Sequence, residues 1–381
     1  MYNEIIVYSC GDSRDASTWS NVPFLFTRTL ETKGIKVNRI DISPAKTLNK
    51  WFNRLSFLIF VRILHLKACP IFARTWLHRF IISRRLKKAV EAYPNADLNL
   101  FLSFAFTNPY SDKPNVLWCD WTDRVVIERL GRCPMWYENA SLAYEDKVMS
   151  EANLVYTMFP VCKEHLEELY GREVRYLGLN VVNSFYKGKF NQEENVRLRY
   201  QSDYVVFIGD QRYLGAAKEL IEAVRQLRQR QIDLKVRIIG MTADIVDEKD
   251  ERVECYGYLH KDLESENEMY YRLLLGAKMF VNTAPQWGGY SSTIEAMYYG
   301  CPVIVAPYQD FSREFGGSIA FGLYKKEDDS LEQLIQQLVA MPFEDYQLMS
   351  NQAHHVVSDY TWSHYMDVFL KDISERFQPD N

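Results

Sequence analysis

The 381-residue sequence contains little cysteine, and what it contains argues against two common kinds of site. The seven cysteines are odd in number and widely spaced, with no Cys-x-x-Cys pair, so we expect neither a disulfide framework nor a zinc site. The sequence also has no Asp-x-Asp, and the adjacent His354 and His355 point apart on a helix. We therefore predict that the protein works without a metal ion or other cofactor.

A long hydrophobic run is also missing. The best candidate, Phe57 to Val61, is followed by Arg62 and falls far short of the ~18 apolar residues that a membrane-spanning helix needs. The opening residues, MYNEIIVYSCGDS, have no basic region followed by an apolar stretch and are typical of a first strand. These features predict a protein of the reducing cytoplasm with no segment that crosses a membrane.

Acidic residues are absent from one long stretch of an otherwise acidic chain. The net charge is −5, yet residues 42–90 hold no Asp or Glu and eleven Lys or Arg. Positive charge mixed with large apolar side chains is typical of helices in a membrane interface, where each Lys or Arg contributes about 1 kcal/mol against an anionic leaflet. We predict that helices within 44–90 contact a membrane surface or a membrane-bound acceptor. The contact residues are Trp51, Arg54, Arg62, Lys67, Arg74, Trp76, Arg79, Arg84, Arg85, Lys87 and Lys88.

Two other interpretations of this basic stretch stay open. The residues could form core helices whose outer face happens to be basic, or they could form a patch that binds RNA. The negative charge of the chain as a whole argues against a protein dominated by phosphate contacts, so we predict no nucleic-acid partner.

Short apolar runs alternate with helical patterns through both halves of the chain. The predicted strands of the first half are Ile5–Cys10, Val37–Ile42, Leu98–Phe104, Val116–Cys119, Leu154–Met158 and Val174–Leu177. A polar stretch without periodicity follows, and the same alternation restarts at Tyr204. The pattern predicts an α/β protein with two doubly wound, Rossmann-like parallel sheets. Ligands of such sheets bind at the carboxyl ends of the strands, and the cleft between the domains is the expected site.

The predicted boundaries follow from this alternation. The first domain covers 1–183, a linker covers 184–202, and the second domain covers 203–358. A final helix within 359–381 is expected to pack back across both domains.

The window GGYSSTIEAMYYGCPVIVAP, which starts at Gly288, is the most informative part of the sequence. Glycines let a loop approach a ligand closely, and Ser291, Ser292 and Thr293 are expected to cap a helix whose free amides suit a diphosphate. Glu295 could then reach the hydroxyls of a ribose. A purely structural interpretation is equally open, in which Ser292 caps the helix and Glu295 complements its dipole.

This window resembles the donor-site signature of glycosyltransferase family 4, the group 1 enzymes of GT-B fold. Tyr204 to Gly215 (YVVFIGDQRYLG) resembles the phosphate loop of their C-terminal domain, and Tyr256 to Leu259 resembles their base-binding loop. The resemblance implies that Glu295 bonds the donor ribose and that the amides of Ser291 to Thr293 hold the diphosphate. It further implies donor contacts from Gly11, Arg212, Lys218, Tyr258, Gly289 and Tyr290.

The sequence departs from the family at two positions. Trp287 occupies the place of the first of the family's two glutamates, so either Gln286 substitutes for it or Trp287 stacks on the donor sugar. Leu214 replaces a lysine of the phosphate loop, and Lys218 is the nearest cation that could take its role.

Catalysis is expected to rest on electrostatic stabilisation of the leaving diphosphate, with Arg212 as the main side chain. The resemblance implies retention of the anomeric configuration. Asp120 or Asp123 could instead accept a proton from the acceptor hydroxyl, which would suit inversion, or simply cap a turn at the strand end.

The resulting expectation is a glycosyltransferase that moves a sugar from a nucleotide sugar to a lipid-linked or polysaccharide acceptor. The first domain would bind the acceptor and the second the nucleotide sugar, with the protein held peripherally on the cytoplasmic face of a membrane. Two alternatives are a GT-B nucleotide-sugar epimerase and a non-catalytic, membrane-associated scaffold. The basic apolar stretch argues against the epimerase, and retention of Arg212 and Glu295 argues against the scaffold.

Overall fold

A computed structural model describes residues 2–66, 69–178, 180–284 and 290–377. The chain divides into two compact units. The first is formed by residues 1–179 together with 365–381, and the second by residues 180–364.

The first unit is built on a five-stranded parallel sheet in the order β2-β1-β3-β4-β5. Its strands are β1 (Glu4–Ser9), β2 (Lys36–Asp41), β3 (Leu98–Leu102), β4 (Asn115–Cys119) and β5 (Leu154–Thr157). The central strands are mostly apolar because helices cover both faces of a parallel sheet, and every residue of β3, Asn99 included, is buried. Their carboxyl ends form one edge of the sheet, which is where ligands of such folds bind.

Six helices follow these strands through the first part of the chain. They are α1 (Val22–Thr32), α2 (Lys46–Ser56), α3 (Trp76–Ala92), α4 (Asp123–Arg129), α5 (Asn139–Glu151) and α6 (Pro160–Tyr170). Proline at the first position of α6 and Gly171 after its end, with φ of 59°, are ordinary start and stop signals. A π-helical stretch, Phe57–Ile63, continues α2, and a short 3₁₀ turn, Phe72–Arg74, precedes α3.

The second unit is built on a six-stranded parallel sheet in the order β11-β10-β9-β6-β7-β8. Its strands are β6 (Tyr204–Ile208), β7 (Lys235–Ile239), β8 (Val253–Cys255), β9 (Met279–Asn282), β10 (Val303–Val305) and β11 (Gly322–Tyr324). The predicted α/β class with two Rossmann-like parallel sheets is thereby confirmed.

The helices of the second unit lie between and after these strands. They are α7 (Gln192–Tyr200), α8 (Leu214–Gln229), α9 (Ala243–Val246), α10 (Glu264–Gly276), α11 (Ser291–Tyr298), α12 (Gln309–Phe315), α13 (Leu331–Val339) and α14 (Phe343–Val357). The core between the sheet and α8 consists of apolar residues of β6, β7 and β9 packed against Ala217, Leu220 and Val224.

The final helix, α15 (Trp362–Phe377), is the one predicted within 359–381. From Tyr365 onward its residues belong to the first unit. The indole nitrogen of Trp118 donates to the Tyr365 hydroxyl at 2.6 Å, and the Tyr156 hydroxyl donates to Asp372 at 2.6 Å. Both partners are buried side chains of the first sheet, so the last part of the chain completes its core.

Two sequence predictions need correction. The stretch 184–202, predicted as a linker from its polar composition, contains α7 and belongs to the second unit. The sequence of α7 lacks an apolar periodicity because one of its buried residues is charged. Arg199 donates to the carbonyl oxygens of Leu274, Ala277 and Tyr299. In place of the strand predicted at Val174–Leu177, the structure has a single bridge between Arg175 and Tyr156, because the chain turns away after one pairing.

Candidate functional site

The strands β6, β7 and β8 of the second unit end in closely packed glycine turns. The amide of Gly209 donates to the carbonyl of Ile239 at 3.0 Å, and the amide of Gly240 donates to the carbonyl of Gly257 at 2.7 Å. Gly240 has φ of 104°, and a Cβ there would lie 2.4 Å from the carbonyl oxygen of Gly209. Only glycine fits this position, so the turns after β6 and β7 can pack closely at the carboxyl edge of the sheet.

Helix α11 starts with the three hydroxyl residues of the sequence motif. Ser291, Ser292 and Thr293 form its first turn, whereas a capping role had been predicted for them. The residue before them is Tyr290, whose side chain makes no capping hydrogen bond to the helix. The amides of this first turn carry the positive end of the helix dipole. Trp287 and Gly289, together with Gln286, lie outside the described residues.

Glu295 lies on the buried face of α11 and binds three donors. Lys261 Nζ lies 2.5 Å from Oε2, the Tyr270 hydroxyl donates to the same oxygen at 2.8 Å, and the Tyr271 hydroxyl donates to Oε1 at 2.9 Å. Burial and the charge of Glu295 raise the pKa of both tyrosines, so both hydroxyls keep the protons that they donate. The Glu295 side chain is only 2% exposed. In this arrangement Glu295 is a buried hydrogen-bond hub.

Lys261 and the two tyrosines were not predicted from the sequence. Lys261 follows β8, and its ammonium also donates to the carbonyl of Asn183 at 3.0 Å, while Tyr270 and Tyr271 lie on α10. These residues precede Glu295 by 24 to 34 positions, so their relation depends on the packing of α10 against α11. No local sequence pattern carries that information.

Arg212 lies in the turn after β6, where the phosphate loop was predicted. Its guanidinium makes a two-pronged hydrogen bond to Asp210, with Nη2 2.7 Å from Oδ2, and the side chain remains mostly exposed. The hydrogen bonds from Arg212 lower the pKa of Asp210, so the pair is ionised. Lys218 is exposed on α8, and Tyr258 is exposed just after Gly257. The predicted donor residues Arg212, Lys218 and Tyr258 are thus exposed, whereas Glu295 is buried.

The carboxyl edge of the first sheet holds Gly11, Asp120 and Asp123. Gly11 follows β1 with φ of 111°, and its amide donates to Asp41 at 3.1 Å. Asp120 follows β4, accepts the amide of Trp121 at 2.8 Å and takes a further hydrogen bond from the Trp19 side chain. Burial raises the pKa of Asp120. This carboxyl group is therefore enclosed by the loop that follows β1.

That loop stores backbone strain. Trp19, Ser20 and Asn21 all have positive φ, at 39°, 53° and 72°, a conformation that non-glycine residues rarely adopt. Each such residue costs of order 1 kcal/mol or more, and strained residues of this kind concentrate at functional sites. In this strained segment the Trp19 side chain forms a hydrogen bond with Asp120. The Trp19 ring also packs against the Trp118 ring, with 5.9 Å between the two centroids.

Asp123 belongs to a charged cluster at the start of α4. Arg74 donates to Asp123 at 2.7 Å and to Glu138 at 2.9 Å, and Arg132 also pairs with Glu138. The hydrogen bonds from Arg132 lower the pKa of Glu138 to about 2, with Arg74 adding to the effect. Glu138 is thus a fully ionised carboxylate held by two guanidinium groups.

Glu145 lies further along α5, in surroundings that shift its pKa in the opposite direction. Its carboxylate accepts the amides of Asp123 at 2.6 Å and Arg124 at 3.2 Å, so it caps α4 together with Thr122, which accepts the amide of Val125. Burial raises the pKa of Glu145 to about 7, and the neighbouring charge of Asp123 adds to the shift. Sequence reasoning missed Glu145 because a glutamate in mid-helix is usually a solvated side chain.

The basic stretch forms a surface with many exposed apolar side chains. Of α2 only Ser56 is buried, and no residue of the π-helical stretch 57–63 is buried. Exposed large hydrophobic residues of this stretch include Trp51, Leu55, Phe57, Leu58, Ile63, Leu64, Trp76 and Phe80. The interpretation as core helices with a basic outer face therefore fails for α2 and for 57–63.

The predicted cations of this surface differ in their surroundings. Arg54, Arg62, Arg84, Lys87 and Lys88 are exposed, with Arg84 above the Phe80 ring. Arg74 is paired as described, and Arg85 donates to the carbonyl oxygens of Asp41 and Ser43. Lys67 lies outside the described residues.

Within the described ranges no group of three or more His, Cys, Asp or Glu side chains is arranged to hold a metal ion. None of the helices in these ranges combines the length and apolarity needed to cross a membrane.

Residues 202–341 match the family model described as glycosyl transferases group 1. Among solved structures, a glycosyltransferase from Rickettsia africae is 10% identical, with a TM-score of 0.65 and full coverage of both chains. HepE of Anabaena, in complex with UDP and glucose, is 14% identical, with a TM-score of 0.62 over 97% of this chain and 100% of HepE. WaaG, a glycosyltransferase involved in lipopolysaccharide biosynthesis, is 12% identical, with a TM-score of 0.62 over 96% and 98% of the two chains. No curated protein sequence matches the chain significantly.

Proposed function

Because residues 202–341 match the family model of group 1 glycosyl transferases and the chain has the GT-B fold, we propose that the protein is a glycosyltransferase that transfers a sugar from a nucleotide sugar to a membrane-associated acceptor. The acceptor is a lipid-linked saccharide or a growing polysaccharide, and the protein works on the cytoplasmic face of a membrane. The fold relative HepE in complex with UDP and glucose supports a nucleotide-sugar donor. WaaG, a fold relative that takes part in lipopolysaccharide biosynthesis, supports a glycan acceptor.

On the donor side, the diphosphate would lie at the first turn of α11. The amides of Ser291 to Thr293 and the helix dipole favour an anion there, and Arg212 adds a positive charge once phosphate replaces Asp210 as its partner. Positive charge at this point stabilises the leaving diphosphate as the bond to the sugar breaks. Glu295 would reach the ribose by exchanging one of its three present donors for a ribose hydroxyl.

The observation that carries the membrane part of the proposal is the exposed apolar surface of the basic stretch. Trp51 and Trp76 are 66% and 72% exposed, and they lie among cations in a segment without a single acidic residue. Large exposed apolar patches on soluble proteins mark interaction sites, and this charge pattern fits anionic lipid.

We further propose that the reaction retains the anomeric configuration and needs no metal ion. Asp120 and Asp123 are the two carboxyl groups considered as bases for inversion, and both are engaged, the first with Trp19 and the amide of Trp121 and the second with Arg74. Anomeric coupling constants in the ¹H NMR spectrum of the first-formed product test retention. Undiminished transfer in excess EDTA tests independence from metal.

The donor site is tested by thermal shift with UDP, GDP, dTDP, CMP and their sugars. A ligand that binds only the folded state raises Tm, so one nucleotide family should stabilise the native protein. Arg212→Gln and Glu295→Gln should lose that stabilisation, whereas Arg225→Gln, which removes a similar exposed arginine paired with Glu222, should keep it. If no nucleotide raises Tm, the donor proposal is wrong.

Product analysis separates the proposed transferase from its alternatives. The transferase releases free nucleoside diphosphate only when an acceptor is present. An epimerase would convert the nucleotide sugar without any acceptor, and a scaffold would leave it unchanged.

Vesicle sedimentation tests the membrane surface. The protein should bind phosphatidylcholine vesicles that contain phosphatidylglycerol. Trp51→Ser or Trp76→Ser should each weaken binding about tenfold, because each removes a large ring that the lipid would bury. Leu198→Ser removes an exposed apolar residue from α7 and should leave binding unchanged. Equal binding by all four proteins would contradict the docking surface.

A further inference from the structure

A cavity of about 240 Å³ opens at the carboxyl edge of the first sheet. Its walls come from the start of α3, from the segments that follow β3 and β4, and from α5. The position is the one at which parallel sheets of this kind bind ligands. Charged groups in the walls include Arg74, Arg79, Asp123 and Glu145, and aromatic rings include Trp121 and Tyr144.

The two arginines of this cavity differ in what they bind. Arg74 is occupied by Asp123 and Glu138. Arg79 donates to the carbonyl of Ala140 at 3.2 Å and lies over the Tyr144 ring at 4.7 Å, and among the described residues it has no carboxylate partner. A guanidinium in a cavity without a counter-ion is suited to bind a phosphate or carboxylate group in two-pronged fashion.

Trp121 contributes a second group without a partner. Its ring stacks on Phe159 at 4.8 Å, and the Arg129 guanidinium lies 3.7 Å from the ring centroid, so its faces are already in use. Its indole nitrogen is buried, and no acceptor for it exists in the part of the chain that the structure describes. A buried N–H without an acceptor is costly, and a ligand hydroxyl would satisfy it.

The cavity is continuous in sequence with the exposed apolar surface. Ile71, Arg74 and Arg79 line the cavity, and between and beside them Trp76 and Phe80 are exposed. A ligand that fits both features has a polar, anionic head within reach of Arg79 and an apolar part along the surface of α3.

We propose that this cavity is the acceptor site and that it binds the anionic saccharide head group of a lipid. Arg79 binds the phosphate or carboxylate of the head group, and the Trp121 indole donates to one of its hydroxyls. This inference rests on the proposed function, since it specifies the acceptor that such a transferase would use.

Vesicles of two compositions test the assignment on the full chain. One set contains a polyprenyl-phosphate sugar in phosphatidylcholine, and the other contains phosphatidylglycerol at the same negative charge. Arg79→Gln should weaken binding to the first set by about tenfold, the effect of losing a charge-assisted hydrogen bond, and binding to the second set much less. Arg84→Gln, which removes an exposed cation from the same helix outside the cavity, should affect both sets equally.

Soluble probes separate the head group from the lipid. Saturation-transfer NMR should detect glucose 1-phosphate or glucuronate binding to the native protein and to Arg84→Gln, with about tenfold weaker binding to Arg79→Gln and recovery in Arg79→Lys. Neutral glucose should bind more weakly than either anion. Equal effects of Arg79→Gln and Arg84→Gln, or no binding of any soluble probe, would overturn the assignment.

The indole donor is tested by Trp121→Phe, which keeps an aromatic ring for Phe159 and Arg129 and removes the N–H. We expect a roughly threefold loss of binding to the soluble anionic sugar, in line with one neutral hydrogen bond. Trp136→Phe changes an exposed tryptophan outside the cavity and is the matched control. Unchanged binding in Trp121→Phe would remove the indole from the site.

The donor assay keeps this test separate from that of the proposed function. Nucleotide stabilisation concerns the second unit and should be the same in Arg79→Gln and in the native protein. Loss of nucleotide binding in the native protein would refute the transferase while leaving the anion site intact. Retained nucleotide binding without an Arg79 effect would refute only the acceptor site.

Discussion

Glu295 and Glu145 are both buried glutamates that accept several hydrogen bonds, but their surroundings differ in charge. Glu295, in the second unit, has an ammonium and two tyrosine hydroxyls around its carboxylate. Glu145, in the first unit, has two backbone amides and the carboxylate of Asp123 nearby. The same side chain is thus held by a cation in one unit and placed beside another acid in the other.

These surroundings determine what each glutamate can do. A carboxylate paired with a largely buried lysine stays paired with it, because separating the two leaves an uncompensated charge. A buried carboxylate that makes no ion pair gains a proton close to neutral pH, and the pKa of Glu145 is about 7 although the charge of Arg124 opposes the shift. Glu295 is therefore anchored to Lys261 in the second unit, where a ribose hydroxyl can still replace a tyrosine donor, and Glu145 is a titrating group of the first.

The largest effect is expected from breaking the buried ion pair. Lys261→Met leaves the Glu295 carboxylate buried with only the two tyrosine hydroxyls, and we expect a loss of about 3 kcal/mol in the free energy of unfolding. Urea unfolding measures it. The double variant Lys261→Met/Glu295→Gln should recover part of the loss, because no unpaired charge remains. If the two substitutions are additive, the pair has no special role and the comparison fails.

The second prediction concerns the pH dependence of Glu145. Its pKa is raised from 4.5 to about 7 in the folded state, so between these values the folded protein holds a proton that the unfolded chain has released. The contribution of Glu145 to stability is therefore complete below pH 4.5 and falls by about 3 kcal/mol as pH rises to 7. Glu145→Gln should remove this loss, so native and variant free energies of unfolding should diverge with rising pH.

The difference between the two proteins is the quantity to measure, because other groups titrate in the same window. Burial lowers the pKa of His78 to about 4, and this contribution makes stability increase between pH 4 and the ordinary histidine value of 6.5. It is common to both proteins and cancels in the difference. Glu91→Gln removes an exposed carboxylate from α3 and controls for the change in net charge. A difference that stays constant from pH 4.5 to 7 would show that Glu145 does not titrate as a buried acid.

The smallest effect is expected at the cap that Glu145 shares. Thr122 accepts the amide of Val125, and Thr122→Ala should cost about 1 kcal/mol in the free energy of unfolding. Thr122→Ser keeps the oxygen and should lose little. Thermal unfolding of both variants at pH 7 measures the difference. A loss several times larger in Thr122→Ala would show that the cap, and not burial, maintains the environment of Glu145.

Much of the fold could be predicted from the sequence because the central strands are mostly apolar. Strands such as Ile5 to Cys10 and Tyr204 to Ile208 were identified within a residue of their observed ends. Periodicity did not predict α7, because its buried Arg199 is a residue type that usually lies at the surface. It failed again at 174–177, where apolar residues pack without forming a strand.

The candidate site divides in the same way. The position of Glu295 on a helix after a glycine-rich loop followed from local sequence signals, since turn and helix-start residues carry them. Its partners Lys261, Tyr270 and Tyr271 depend on the contact between two helices, which single-sequence patterns do not encode. The cavity beside Arg79 likewise depends on segments that are distant in sequence.

The return of α15 to the first unit has a consequence for how the protein is made. Trp118 and Tyr156 can form their hydrogen bonds to Tyr365 and Asp372 only after the whole second unit has been synthesised. The second unit is continuous in sequence and can fold while translation proceeds, before the first unit has all of its residues. Until α15 has been synthesised, the basic apolar surface belongs to a nascent unit with an incomplete core, and transiently exposed apolar surface of this kind favours aggregation.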